Sequence, residues 1–336
     1  MQTRTFDLLP PHLVLGAAER SFGLRLDGTL TVYPSYVNRV YGLRDEEGRR
    51  FVAKFYRPGR WDREAIEEEH RFVMDCTRAE LPVVAPLPGL DGLTLATAAA
   101  SEGERREEYL FAVYPLRSGR GFDAEGEEDW LRLGALVGRV HAVAASAGAP
   151  HRLRCAPRES TARFLEELRD ANVVAADCRA ELFGLAEQAL ESFSDLFDGV
   201  PFHRIHGDCH RGNILDRAGE GLLLIDFDDM MHGPAVQDLW LLLPDHAASC
   251  RRELALILEG YEQFRPFDRA TLALIEPLRL MRMLYYLAWQ ARQRDDARFR
   301  EAQPGWGSKA FWLLEIEDLR NQLEVIRDEA AEGAED

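Results

Sequence analysis

The sequence predicts an α+β fold of two lobes: an N-terminal lobe built on an antiparallel sheet, then a helical C-terminal lobe. Three observations carry this. The stretches LRLDGTLTVYPS, SYVNRVYGLRD and RRFVAKFYR are dense in Val, Tyr, Phe and Leu and are separated by turn sequences, DG at 27–28 and DEEG at 45–48. From about residue 127 the apolar residues change to helical spacing, as Leu131, Leu133, Val137 and Val140 do in WLRLGALVGRVHAVAASA. The chain has 336 residues, 46% of them hydrophobic, enough for a large core and for two lobes.

Taken in order, the strands lead into WDREAIEEEHRFVMDCTRAE, where Ile66 and Val73 lie on one helical face. LPVVAPLP is extended, as its prolines require. EEYLFAVYPL is another apolar strand and ends at the lobe junction, Pro115–Leu116. Helices follow in STARFLEELRD, ELFGLAEQALESFSDLF, ELALILEGYEQF, TLALIEPLRLMRMLYYLAWQARQR and FWLLEIEDLRNQLEVIRDE. The expected organisation is therefore an N-terminal lobe over 1–115, a helical lobe over 116–326 and a solvated acidic tail over 327–336.

Charge narrows the function. At a formal −17 the chain is repelled by phosphate backbones and anionic lipid, which argues against nucleic-acid and membrane binding. No apolar run is long enough to span a bilayer, and MQTRTFDLLPPH does not read as a signal peptide. The five cysteines are scattered without a CxxC pair, which fits reduced thiols in a cytoplasm. Of 41 basic residues only Lys54 and Lys309 are lysine. That ratio reads as coding bias toward arginine, and it makes the places where lysine survives informative.

HRIHGDCHRGNIL, from His203, packs three histidines and a cysteine into a short stretch. As a zinc site it has suitable spacings, but Gly207, Asp208, Gly212 and Asn213 make a loop, and a fourth ligand is missing. A Cys–His nucleophile pair needs adjacency in space that loop neighbours do not supply. Asp208 and Asn213 offer a better reading. They lie five apart, as Asp and Asn do in H-R-D-L-x-x-x-N, and the apolar LLLIDFDD then delivers Asp226 where D-F-G has its acid. Phosphoryl transfer needs an aspartate to take or orient the hydroxyl proton, here Asp208. It also needs hard oxygen ligands for magnesium, here Asn213 and Asp226.

Lys54, in FVAKFY, stands where V-A-I-K puts its phosphate lysine, and Glu69 is its expected helix partner, with Glu68 the alternative. No glycine-rich loop is present. SYVNRVY takes its place, and Ser35 through Asn38 are expected to form a tight turn whose N–H groups meet phosphates. Tyr114 and Leu116, at the lobe junction, are assigned to the nucleotide. Asp238, on a helix opened by Pro234, is expected to brace the loop. Taken singly, Lys54 reads as a solvated strand lysine and Asp238 as a surface acid. The order Lys54, Asp208, Asn213, Asp226 favours a site.

HGDCHRGNIL and LIDFDDMMHGPAVQDLW resemble the aminoglycoside phosphotransferase and choline kinase branch of the protein-kinase-like fold. SYVNRVY, RFVAKFYRPGRW, EEHRFV, LPVVAPL, GPAVQDLW and MRMLYYLAWQARQ further resemble the bacterial stress response kinase A family, from about residue 5 to 325. The resemblance implies a two-lobe, cytoplasmic kinase using ATP and Mg2+. It implies transfer to serine or threonine of proteins, autophosphorylation, and a role in surviving envelope or oxidative stress. It carries over Asp208 as base, Asn213 and Asp226 as magnesium ligands and Lys54 as phosphate lysine. A monomer is expected.

Two departures from protein kinases bear on the acceptor. Gly207 replaces the Arg of H-R-D, and only twelve positions separate Asp226 from Asp238, too few for an activation segment. From residues alone a small hydroxylated metabolite or amine (aminoglycoside-, choline- or homoserine-like) is the natural acceptor; the family points to protein. A nucleotide-binding pseudokinase is a third reading, against which the intact Lys54, Asp208, Asn213 and Asp226 argue. Asp228 is expected to tune the metals. The basic PHRLRCAPR segment is read as a dock for acidic proteins or a solvated linker. His206 is expected to support the loop, and His210 to matter less.

Overall fold

The computed structural model describes residues 6, 8–35, 37–103 and 105–332. Contacts divide the chain into two units, Met1–Phe122 with Gly212–Asp228, and Asp123–Arg211 with Asp229–Asp336.

The first unit opens with α1 (Pro11–Phe22), which starts at a proline and stops at Gly23 with φ 66. Five antiparallel strands follow: β1 (Leu26–Tyr33), β2 (Arg39–Asp45), β3 (Arg50–Phe55), β4 (Ala96–Glu102) and β5 (Arg105–Pro115), in the order β1-β2-β3-β5-β4. Strand alternation sends Phe51, Ala53 and Phe55 of the central β3 into a core with Tyr41, Leu43, Phe111, Val113 and the α1 residues Val14 and Ala17. Each such large side chain contributes roughly 1.5–3 kcal/mol by burial. The opposite face of β3 carries Val52 and Lys54. Between β3 and β4 lies α2 (Arg63–Arg78), capped by Asp62, whose carboxylate accepts from the Ala65 N–H at 2.8 Å.

β6 (Arg120–Gly121), β8 (Ile214–Arg217) and β9 (Gly221–Leu224) form a small sheet in this unit, while β7 (His203–Ile205) and β10 (Met231–Gly233) pair in the second. The Leu224 N–H donates to the Pro82 carbonyl at 2.9 Å, so the extended LPVVAPLP segment holds the end of β9.

The second unit is helical: α3 (Glu127–Ala144), α4 (Ala162–Ala171), α5 (Arg179–Phe193), α6 (Val236–Trp240), α7 (Arg251–Glu262), α8 (Ile275–Gln293), α9 (Ala297–Ala302) and α10 (Lys309–Glu332). α3 and α7 cross at very close range. A Cβ on Gly134 would collide with the Ile257 carbonyl, and one on Gly260 with the Leu131 carbonyl. The tail expected from 327 continues α10 to Glu332, because Ile326 is still buried and the residues beyond it are good helix formers; 333–336 lie outside the described residues. Among the described residues no helix is long and apolar enough to cross a membrane.

Candidate active site

In the first unit, Lys54 is buried to 9% exposure and its Nζ lies 2.8 Å from Asp226 Oδ1 and 3.1 Å from Asp228 Oδ1. Burial alone would lower the lysine's pKa. The charges of Asp226 and Glu69 outweigh that and hold it above its ordinary value. Glu69, buried on α2, therefore acts on Lys54 as a nearby charge, whereas the described ion pairs of Lys54 go to the two aspartates. Glu68 instead faces Arg71, at 3.8 Å.

Asp226 follows β9 with φ 63, a left-handed conformation that costs a non-glycine residue on the order of 1 kcal/mol. The backbone bends there, and the carboxylate stays half exposed. Asn213 ends the 3-10 turn Arg211–Asn213, and its carbonyl accepts from the Ile225 N–H at 3.0 Å. That bond sets Asn213 beside the segment delivering Asp226. One carboxylate and one amide oxygen suit Mg2+, which keeps several waters and substrate phosphates among its ligands and needs few from the protein.

Asp228, 4% exposed, takes Asn38 Nδ2 at 3.2 Å and pairs with Arg60 as well as Lys54. Asn38 also accepts from the Arg57 N–H at 3.1 Å, and its own N–H donates to Ser35 Oγ at 3.3 Å. The expected turn at Ser35–Asn38 is thus tied to Asp228 by the Asn38 side chain; Tyr36 within it lies outside the described residues. The hydroxyl of Tyr114 meets that of Tyr56 at 2.9 Å, and Tyr56 meets His70 Nε2 at 2.9 Å, forming a buried polar chain to α2. The Leu116 N–H donates to the Arg50 carbonyl at 2.9 Å, and its side chain lines a pocket with Thr31, Tyr33 and Gly42.

The second unit holds Asp208. Its loop leaves β7 at His206, and Asp238 on α6 braces it. The Asp238 carboxylate accepts from the His206 N–H at 2.7 Å, the Gly207 N–H at 2.8 Å and His141 Nε2 at 2.9 Å. Burial raises the pKa of Asp238, but the bonds from His141 and Gly207 more than offset it, so the group is held ionised below its ordinary value. Gly207 has φ 84, and a Cβ there would collide with the Asp229 carbonyl. This explains why no arginine stands at that position. His206, fully buried, accepts at Nδ1 from the Asp208 N–H at 3.3 Å.

The three histidines of HRIHGDCHRGNIL do separate work. His203 sits 4.7 Å from the His141 ring, its pKa pushed down to about 3 by burial and by His141. His210 is half exposed, with Nε2 3.5 Å from Asp208 Oδ2. The Asp208 carboxylate is also held by Arg282 of α8, Nη2 to Oδ1 at 2.6 Å.

The basic segment at 150–158 is committed internally. Arg152 donates to the Met230 carbonyl at 2.6 Å, Arg154 covers the Phe202 ring at 4.1 Å, and Arg158 pairs with Asp195 and Asp198. Arg152 is buried here, while the Arg154 and Arg158 side chains stay 44% and 56% exposed. Arg60, His141 and Arg282 escaped the sequence reading. Arginine is too common here to mark a site, and none of the three sits in a spacing that carries chemistry.

Residues 29–275 match the phosphotransferase enzyme family. The chain is 37% identical over 332 residues to the stress response kinase A of Escherichia coli (strain K12), covering 96% of this chain and 95% of that protein. It is 36% identical over 329 residues to the serine/threonine protein kinase RdoA of Salmonella typhimurium, with 96% and 95% covered. Among solved structures, an amicoumacin kinase in complex with AMP-PNP, Ca2+ and Ami shares the fold, with TM-score 0.72 and 20% identity over 98% of this chain and 96% of that one. The chain is a kinase of the phosphotransferase enzyme family and belongs, within it, to the stress response kinase A family.

Proposed function

We propose that this kinase transfers the γ-phosphate of ATP, with Mg2+, to serine and threonine hydroxyls of proteins, its own among them, in the cytoplasm, as a monomer, and that it serves survival under stress. The observation that carries the reading is the Lys54–Asp226 ion pair beside Asn213, in a chain whose other unit presents a braced aspartate, Asp208. In this reading Lys54 holds the α- and β-phosphates, with Glu69 keeping it charged. The Ser35–Asn38 turn meets the phosphates, and Tyr114 and Leu116 border the nucleotide. Asn213 and Asp226 hold the metal, which when bound neutralises charge on the transferring phosphoryl group. Asp208 orients the acceptor hydroxyl and takes its proton as the new O–P bond forms, the β–γ bridging bond breaks and ADP leaves. Asp228 stays on Lys54, Asn38 and Arg60 and acts on the metal through the placement of Lys54.

The relatives' names support a protein acceptor, since one is a serine/threonine protein kinase. A small-molecule acceptor is the second reading. It is favoured by the short 226–238 segment, which here contains a 3-10 turn at Phe227–Asp229, β10 and the start of α6, too little for a peptide platform. The test is transfer from γ-labelled ATP by wild type and Asp208→Ala, with and without a protein acceptor. Label on protein with wild type alone supports the proposal; label appearing only on added metabolites replaces it with the second reading.

A further inference from the structure

The loop carrying Asp208 is fixed through its backbone, by Asp238 at His206 and Gly207. Those bonds do not fix the rotation of the Asp208 side chain. Arg282 makes the short contact to it, Nη2 donating to Asp208 Oδ1 at 2.6 Å, while the half-exposed His210 lies farther off, its Nε2 3.5 Å from Oδ2. We propose that Arg282 is the positioning residue of the catalytic base, clamping one carboxylate oxygen so that the other is aimed at the acceptor hydroxyl. The proposal rests on the reading of Asp208 as that base.

Three features argue for this role over a merely stabilising ion pair. First, the pair is partly exposed, with Arg282 at 34% and Asp208 at 22%, and partly exposed pairs add little to folding stability. Second, Arg282 is mounted on a rigid support. Its neighbours on α8, Leu278, Met281 and Leu284, are buried, so the guanidinium cannot drift with its helix. Third, Arg282 lines a pocket that also contains Gly207, the residue before Asp208, together with Phe164 and Tyr285. Several other polar groups facing that pocket are engaged elsewhere. Ser160 donates to the Ala156 carbonyl, Gln237 spans the Gly207 carbonyl and the Trp240 indole, and the Tyr285 hydroxyl donates to Asp229 at 2.9 Å. Arg282 joins the pocket to the base. A guanidinium suits this, because it is planar, always charged, and presents donors in a fixed fork.

The experiment is steady-state kinetics on Arg282→Gln, Arg282→Lys, Asp208→Ala and Asp208→Ala/Arg282→Gln, with thermal melting of each. Loss of aim at a base costs on the order of 10²-fold in kcat, so Arg282→Gln should lose that much, with KM for ATP within about twofold of wild type and an unchanged melting temperature. Arg282→Lys, which keeps one charged donor, should recover about tenfold of the loss. Groups that act as a unit are not additive, so Arg282→Gln should cost nothing more once Asp208 is alanine. An Arg282→Gln enzyme as fast as wild type, or one that loses the same factor in both backgrounds, overturns the inference. If Arg282→Gln does not fold, failure of the folded Arg282→Lys to slow the reaction overturns it equally. An Asp208→Ala enzyme that keeps its rate strikes instead at the reading of Asp208 as the base.

Discussion

His203 and Asp238 make the acid sensitivity of the second unit calculable in sign. The unfolded chain protonates His203 near its ordinary 6.5, and the folded chain only near 3. Between those values the unfolded state binds more protons, so stability falls as pH drops from 6.5 toward 3. Asp238 adds in the same direction at lower pH. Its folded pKa lies below the ordinary 3.8, so its contribution is whole above that value and is lost as the pH falls through the folded one. Urea unfolding from pH 3 to 7 should show a shallower slope in His203→Gln than in wild type, and an equal slope would show that His203 titrates normally. The buried Nε2 of His203 has no hydrogen-bond partner among the described residues, in keeping with a neutral ring. Gly207 gives a second prediction at this scale. Gly207→Arg, which restores the H-R-D triplet, should lose on the order of 10²-fold or more in kcat. A side chain there drives into the Asp229 carbonyl, and φ 84 is costly for any residue but glycine.

At the scale of elements, the α3–α7 crossing depends on the absence of side chains. Gly134→Ala or Gly260→Ala should each cost roughly 1–3 kcal/mol in chemical denaturation, as overpacking does, and a neutral result would mean that the helices separate without penalty. This crossing was not visible in WLRLGALVGRVHAVAASA, where glycines in a helix read only as weak helix formers. α1 and β4 went unread for related reasons. PHLVLGAAERSF opens on a proline and has Gly16 inside it, which weakens its helical signal, while ATAAASE is rich in alanine, which carries little pattern, and becomes a strand because β5 offers it an edge. The strands around Lys54 and the long helices were legible because their apolar periods are strong and local. Lys54, Asp208, Asn213 and Asp226 stood out by spacing alone. The partners of Asp228 did not, since Arg60 lies 168 residues away in sequence and Asn38 lies 190 away. No short-range pattern reports such a pair.

For the molecule as a whole, binding of nucleotide by the folded state alone must raise its melting temperature. At a ligand concentration of about 100 times Kd the gain is about 2.7 kcal/mol. ATP with Mg2+ should therefore shift the melting curve upward, and Lys54→Met should remove most of the shift. An equal shift in the variant would take Lys54 out of the nucleotide site.

The division of the first unit into 1–122 and 212–228 has a consequence for how the protein is made. Lys54 and Asp226 are 172 residues apart in the chain. At roughly 5–20 residues per second, the ribosome needs about 10–30 s after threading out the lysine to supply its counter-charge. Throughout that interval the lysine has neither of the aspartates with which it pairs in the folded protein. Small β8 and β9, and with them Asn213 and Asp226, must then find a sheet synthesised long before, after nearly ninety residues of the other unit have emerged in between. Formation of the Lys54 ion pairs is thus a late event in synthesis, and a nascent chain halted before residue 226 carries neither aspartate that pairs with the lysine.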